Sequence, residues 1–406
     1  MKLLIISSCK LPVPAVKGGA VPTLIEELLQ QNEVEQEIEI SCCSIHDIQA
    51  EIESKQYKKT KFVWAKIPRF IHFFDKTMRF IMGKIFRMKR LLSIGFVFQI
   101  AWYAYFVGMV LKNNNYDFVI FENSIPVLSA LKMFGNRKKY ADKYYLHMHS
   151  VPRKYFGNAR LIEKCKKIIC ISEYVADAML NDSRLNLTRN NISIMYNCID
   201  TNFIKPGELC SAQKIKDKYG IDNNKKIILF VGRMCKDKGI EQVLSAVREL
   251  NDKSFVLLAV GSNFYKSEIV SPYEERLREI AEPIKDQIIF TGYIDYKIMP
   301  EFYNASDVVV LPSMWEEPAG MTIIEAMACK KPVITTYSGG IPEYTGEGNC
   351  ILLKRDDSLV ENISKGILGI CQNKEYAVTL SNKAYERATQ YDEVYYYKQL
   401  KDILFE

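Results

Sequence analysis

The strongest chemical signal in the chain is the run Leu311-Pro312-Ser313-Met314-Trp315-Glu316-Glu317-Pro318-Ala319-Gly320-Met321-Thr322-Ile323-Ile324-Glu325-Ala326-Met327-Ala328. Two of its carboxylates, Glu317 and Glu325, have seven residues between them. Val308 to Leu311 reads as a buried strand and the segment after Gly320 as a helix, so Glu317 falls in the joining loop and Glu325 about a turn into the helix. A loop that runs into a helix N-terminus offers unpaired N–H groups to a phosphate, here around Gly320, Met321 and Thr322. Glu325, directed into the same crevice, can accept from a ribose diol, and Glu317 from the hydroxyls of a sugar held just outside. A second constellation is Leu146-His147-Met148-His149-Ser150 at the end of a strand. Alternate residues of a strand face the same way, so His147 and His149 can both point beyond its carboxyl end, as an alternative to two histidines buried in a core.

The carboxylate pair resembles the E-x7-E motif of retaining glycosyltransferases with the GT-B fold, in particular glycosyltransferase family 4 (the group 1 type). Phe230-Val231-Gly232-Arg233 with Lys236-Asp237-Lys238-Gly239 is similar to that family's G-R-x-x-x-x-K-G element, and Val260-Gly261 to its following strand end. Ser338-Gly339-Gly340-Ile341-Pro342-Glu343 resembles its G-G-x-x-E loop, and Pro12 to Ala20, with Lys17, Gly18 and Gly19, resembles its Gly-Gly loop near the donor diphosphate. Tyr196-Asn197-Cys198-Ile199-Asp200 resembles its N-G-I-D segment with Cys198 in place of glycine, while residues 50–110 match nothing specific.

The resemblance implies a nucleotide-diphosphate sugar as donor, a UDP-sugar being favoured, and transfer with retention by front-face displacement. His149, and with less weight His147, would contact the transferred sugar. Glu343 and Gly340 would border the donor, and Tyr293, in Thr291-Gly292-Tyr293-Ile294, would lie by the base. A leaving diphosphate can be stabilised by a divalent metal on a D-x-D motif or by protein cations and helix dipoles. The sequence has no D-x-D, and Arg233 and Lys238 supply the second solution, so no metal cofactor is expected.

These residues must be held by strands and helices, and the pattern for them is doubly wound α/β. Leu3 to Ser7, a Pro/Gly loop, a helix over Val21 to Gln31 and a strand at Ile38 to Ile45 open a first unit, continued by strands at Tyr116 to Phe121, Lys143 to His149 and Ile168 to Ile171. A second series runs through Lys226 to Val231, Phe255 to Val260, Ile288 to Thr291, Val308 to Leu311 and Pro332 to Thr336. The expected fold is GT-B, two Rossmann-like domains facing each other across a central cleft. Residues 1–203 form the acceptor-binding domain and 204–390 the donor-binding domain, with the boundary near Pro206-Gly207 and a terminal helix of about 391–406 packing back on the first.

The 406 residues, 48% hydrophobic and 25% charged, exclude a disordered, collagenous or coiled-coil chain. Eleven scattered cysteines without a C-x-x-C pair point to a reducing cytosol rather than a disulfide or zinc scaffold, and the N-terminus does not read as a signal peptide. Net charge is +7, yet residues 1–200 carry 29 Lys/Arg against 18 Asp/Glu and the remainder 26 against 30. Residues 58–90 concentrate the excess, with 11 basic residues, one acid (Asp75) and the aromatics Phe70, Phe73, Phe74, Phe80 and Phe86. At helical spacing Arg69, Lys76, Arg79, Lys84, Arg87 and Arg90 fall within an arc of roughly 140°. Such a helix, about residues 66–90, is expected to lie on an anionic membrane surface. Leu91 to Leu111 is uncharged and long enough to span a bilayer, but it feeds straight into a strand and reads as a core helix.

The sequence therefore points to a cytoplasmic enzyme, peripheral on the inner membrane face. It would pass a sugar to a glycan or polyprenyl-linked acceptor in polysaccharide, capsule or cell-wall glycan biosynthesis. A GT-B epimerase or hydrolase would need an acidic cluster in the first-domain loops, which is absent, and a non-catalytic nucleotide-sugar binder would not need Arg233, Lys238, Glu317 and Glu325 together. No nucleic-acid-binding element accompanies the basic segment.

Overall fold

Runs of Val, Ile and Leu with no polar alternation form strands buried on both faces, the mark of parallel sheets covered by helices. The computed structural model describes residues 1–84, 96–201, 209–261 and 272–406 and contains two such sheets. The first comprises β1 (Lys2–Ile6), β2 (Glu39–Ile45), β3 (Lys61–Ala65), β4 (Phe118–Glu122), β5 (Tyr144–Met148), β6 (Ile168–Cys170) and β7 (Ile192–Ile194). Its order is β3-β2-β1-β4-β5-β6-β7, with every pair parallel. The second comprises β8 (Lys226–Val231), β9 (Phe255–Val260), β10 (Ile288–Gly292), β11 (Val308–Leu311), β12 (Val333–Thr336) and β13 (Ile351–Leu353), in the order β10-β9-β8-β11-β12-β13. Both follow the Rossmann order, in which the strand sequence reverses beside the first strand; ligands bind outside the carboxyl ends at that reversal. The reversals lie between β1 and β4 and between β8 and β11.

The chain divides into two compact units, residues 1–196 with 396–406 and residues 197–395. The Pro206-Gly207 stretch lies outside the described residues. The helix Glu393–Phe405 buries Tyr396, Tyr397, Leu400, Ile403 and Leu404. Tyr397 donates to Asn32 Oδ1 at 2.7 Å, and Lys401 pairs with Glu37 at 2.6 Å, which ties the chain end to the helix Ala20–Glu35 and the turn after it.

The basic segment is not one continuous helix. Lys61–Ala65 is the edge strand β3, paired along its length with β2, and the helix starts at Arg69 and is described as far as Lys84. Arg87, Arg90 and residues 91–95 lie outside the described residues. Asp75, the one acid of the segment, is buried and accepts from the N–H groups of Phe98 and Gln99 at 3.0 Å, capping the next helix, Val97–Asn113. That helix buries Gln99, Tyr103, Ala104, Val107 and Leu111, and Tyr103 donates to Cys43 O at 2.9 Å. Among the described residues, no helix is long and apolar enough to cross a membrane.

Candidate functional site

In the second unit the two loops at the reversal lie side by side. After β8 the chain makes a tight turn at Lys236–Lys238 and enters the helix Ile240–Leu250 through Gly239. After β11 it runs from Pro312 to Gly320 and enters the helix Met321–Ala328. Met314 N–H donates to Asp237 O at 2.8 Å across the two loops. Gly239 has φ 73°, and a Cβ there would stand 1.9 Å from Pro312 O, so only glycine lets the loops meet this closely.

The meeting places Lys238 Nζ 2.7 Å from Glu317 Oε2. The same oxygen accepts from Trp315 Nε1 at 2.8 Å and from Ser313 Oγ at 3.1 Å. Glu317 Oε1 has no hydrogen-bond partner among the described residues. One carboxylate oxygen is thus anchored three times while the other is left to accept from an incoming hydroxyl. The loop after β12 closes the group. Gly340 N–H donates to Glu317 O at 2.8 Å, and Gly339 N–H to Glu316 Oε2 at 2.6 Å. A Cβ on Gly339 would lie 2.3 Å from Glu317 O. Arg355 holds Glu316 from the other side in an ion pair.

Gly320 caps the helix Met321–Ala328 with φ 86°, and the N–H groups of Met321 and Thr322 have no hydrogen-bond partner among the described residues. They form an anion-ready terminus beside Glu317. Glu325, one turn on, is buried and accepts from Tyr303 OH at 2.8 Å. Burial pushes its carboxyl above the ordinary value, against the hydroxyls of Tyr303 and Tyr296. Arg233 follows β8 and is exposed, its guanidinium without a partner among the described residues. Gly261, at the end of β9, donates to Gly292 O at 2.9 Å, and half-buried Tyr293 follows β10; both stand on the β8 side, away from the Glu317 loop. Glu343 lies in the first turn of Ile341–Thr345, whose entry is Gly340.

In the first unit, Gly18 and Gly19 lead into the helix Ala20–Glu35, both at positive φ. Lys17 Nζ is 2.6 Å from Asp47 Oδ2, and Asp47 also caps the helix Ile48–Glu53. His147 lies within β5, directly opposite Glu122 on β4, and His149 sits one residue past the strand. Their rings share one side, with centroids 4.1 Å apart. Glu122 is buried between them, Oε1 lying 3.2 Å from His147 Nδ1 and Oε2 2.9 Å from His149 Nε2. Burial works against the carboxylate charge, yet the two imidazoles hold Glu122 at about 2. Burial, then the neighbouring His147, push His149 down to about 4 against the pull of Glu122. Among the described residues these three side chains alone, with ligand atoms within 4.8 Å of one another, have the spacing to hold a metal ion.

Residues 211–387 match the family model of glycosyl transferases group 1. The match falls within the second unit, residues 197–395. The chain is similar to spore coat protein SA of Bacillus subtilis, 25% identical over 354 residues that cover 86% of this chain and 84% of that one. Mannosylfructose-phosphate synthase of Agrobacterium fabrum is 29% identical over 187 residues, 45% of this chain and 40% of its own. Among solved structures, Anabaena HepE in complex with UDP and glucose superposes with a TM-score of 0.73 at 18% identity, covering all of both chains. That likeness carries the fold: the chain has the GT-B architecture of two Rossmann-like units.

Of the residues singled out in the sequence, the second unit brings together Lys238, Glu317, Gly339, Gly340 and the helix entry at Gly320–Thr322, with Glu325 a turn deeper. Trp315, read as lining the donor pocket or buried under its loop, donates to Glu317. Three partners were not singled out. Ser313 donates to Glu317, and Tyr303 serves Glu325. Glu122 binds both histidines, and its sequence signal was a lone acid closing the apolar run Phe118-Val119-Ile120-Phe121.

Proposed function

We propose that the protein is a retaining, metal-independent glycosyltransferase of family 4. It moves a sugar from a nucleotide-diphosphate donor, a UDP-sugar in the favoured reading, to a glycan or polyprenyl-linked acceptor. The observation that carries the reading is Glu317, with Oε2 fixed by Lys238, Trp315 and Ser313 and Oε1 open, beside the unpaired N–H groups of Met321 and Thr322. Glu317 holds the sugar hydroxyls, Glu325 the ribose diol, and Lys238, Arg233 and the helix terminus take the diphosphate. His149 is assigned to the transferred sugar. The bond from the anomeric carbon to the phosphate oxygen breaks as the acceptor oxygen bonds on the same face, and the acceptor proton passes to the departing phosphate. Cations and amides set where negative charge grows lower this barrier, and no enzyme nucleophile is required. Two cations without a D-x-D motif support metal independence, and the UDP complex of HepE supports uridine. A thermal-shift panel of UDP-, GDP- and dTDP-sugars in EDTA tests this. A rise in Tm with UDP-sugars is expected; a rise that appears only with added Mg2+ or Mn2+ refutes the metal-free reading.

The first unit supports work at the cytoplasmic membrane face, in assembly of a polysaccharide, capsule or cell-wall glycan. On the helix Arg69–Lys84, Phe73 is 65% and Phe80 59% exposed, with Phe70 and Phe74 about as open, alongside exposed Arg69 and Lys76. Bare aromatics among cations suit an anionic bilayer interface better than water. Neutralising Arg79, Lys84, Arg87 and Arg90 removes about 1 kcal/mol of attraction per charge, so binding to anionic liposomes should fall roughly 10³-fold. Donor hydrolysis should be unchanged. Sedimentation with vesicles measures the first and release of free nucleoside diphosphate the second, and undiminished vesicle binding refutes the membrane contact.

A further inference from the structure

We propose that Glu122 is the positioning residue of His149, fixing its ring in the tautomer with the proton on Nε2 so that Nδ1 presents a lone pair to a hydroxyl of the transferred sugar. The proposal rests on the reading of His149 as a sugar-facing residue. Its geometry stands on the first unit alone.

Parallel pairing sets Glu122 opposite His147, and the pleat brings His149 to the same side two residues on. An ionised carboxylate can only accept. With Oε2 2.9 Å from His149 Nε2 and Oε1 3.2 Å from His147 Nδ1, each imidazole must donate at that nitrogen. The remaining nitrogens are then determined: Nδ1 for His149 and Nε2 for His147. They differ in access. His147 Nε2 is buried without a partner, whereas the His149 side chain keeps an opening to solvent of 6%. Asn123 adds a second hold. It sits at φ 46°, a left-handed conformation asparagine tolerates, and its Oδ1 accepts from His149 N–H at 3.3 Å while its own N–H donates to His147 O at 2.8 Å. Side chain and backbone of His149 are therefore fastened by two consecutive residues at the end of β4. An acceptor nitrogen held this way takes the hydrogen of the hydroxyl; the opposite tautomer would present an N–H and reverse the direction of the bond, leaving the hydroxyl hydrogen to find another acceptor.

The chain has four histidines, so selective 15N-histidine labelling gives a readable spectrum, with His149→Asn for assignment. In the full-length wild type, long-range 1H–15N correlation should show His149 with its proton on Nε2; a proton on Nδ1 overturns the proposal. Glu122→Gln offers one acceptor and one donor in place of two acceptors, so one imidazole must change tautomer. With that variant kcat/KM for the donor sugar should fall 10- to 100-fold, on the order of one or two charge-assisted hydrogen bonds. Affinity for the nucleoside diphosphate alone should stay within about twofold of wild type. An unchanged His149 spectrum with wild-type kinetics overturns the role of Glu122. Should Glu122→Gln not fold, the wild-type spectrum and Glu122→Asp, which keeps the charge at shorter reach and should retain the tautomer with intermediate kcat/KM, decide the matter. Stoichiometric Zn2+ binding by the wild type, lost in either variant, makes the cluster a metal site and overturns the proposal. A correct tautomer in a protein that binds no nucleotide sugar overturns the functional reading and leaves the Glu122–His149 geometry standing.

Discussion

Lys238→Ala lowers kcat for glycosyl transfer by about 10²- to 10³-fold and leaves the protein folded, since one electrostatic donor at a site of developing charge is worth that much. Breaking the sugar–phosphate bond places new negative charge on the diphosphate, and a cation already fixed beside it needs no reorganisation. Lys238 has that fixity. It closes a tight turn whose next residue, Gly239, is pressed against Pro312 O, and its ammonium stands 2.7 Å from Glu317. The fold survives because Glu317 keeps Trp315 and Ser313 as donors, so its carboxylate is not stranded. Steady-state kinetics should show the loss mostly in kcat, with donor KM rising much less, because the interaction strengthens as charge develops. Circular dichroism and Tm serve as the fold control. A Lys238→Ala enzyme with full activity would remove Lys238 from the site.

How much of this could be read beforehand depended on the range of the interaction concerned. β8, β9 and β11 are largely runs of Ile, Leu, Val and Phe buried on both faces, and β12 adds two buried β-branched threonines, so local composition identifies them. β3 and β13 were missed for opposite reasons. Lys61-Phe62-Val63-Trp64-Ala65 is an edge strand, open on one side and set among cations, so its surroundings read as a surface helix. Ile351–Leu353 has only three residues, too few for any period to register. Glu317 and Glu325 were legible because their spacing is local and the motif they resemble is specific. Glu122 was not, because it meets His147 and His149 only through β4–β5 pairing, 25 and 27 residues away along the chain. The hold of Glu316 on Gly339 and Arg355 is equally a product of strand order, with β11 and β12 side by side. Local patterns thus name the residues that would touch a ligand, while the residues that steady them emerge only with the sheet.

Glu325→Ala should cut donor affinity by roughly 10- to 100-fold, matching hydrogen bonds to a charged acceptor at about 1.5–3 kcal/mol each. The side chain is buried, one turn into the helix Met321–Ala328, with Tyr303 OH donating to it at 2.8 Å. Burial raises its carboxyl, which means the charged form is held at a cost in the free protein. A vicinal diol supplies the donors that relieve this cost, so the contact favours the ribose over a deoxyribose lacking the 2′-hydroxyl. The discriminating experiment is therefore a pair of titrations, with a nucleoside diphosphate and its 2′-deoxy analogue. Wild type should prefer the ribonucleotide by about tenfold, and Glu325→Ala should bind both at the weaker level, as expected when a site built to pair a hydroxyl loses its partner. Glu325→Gln separates recognition from packing: it retains an acceptor for Tyr303 and nearly the same volume, so it should keep the wild-type Tm while losing part of the preference. Among the described residues, the alanine variant leaves Tyr303 OH with Thr322 O at 3.4 Å as its one partner and should melt earlier. Equal ribose preference in wild type and Glu325→Ala would show that the diol is read elsewhere, and Glu325 would then be a structural carboxylate tied to Tyr303.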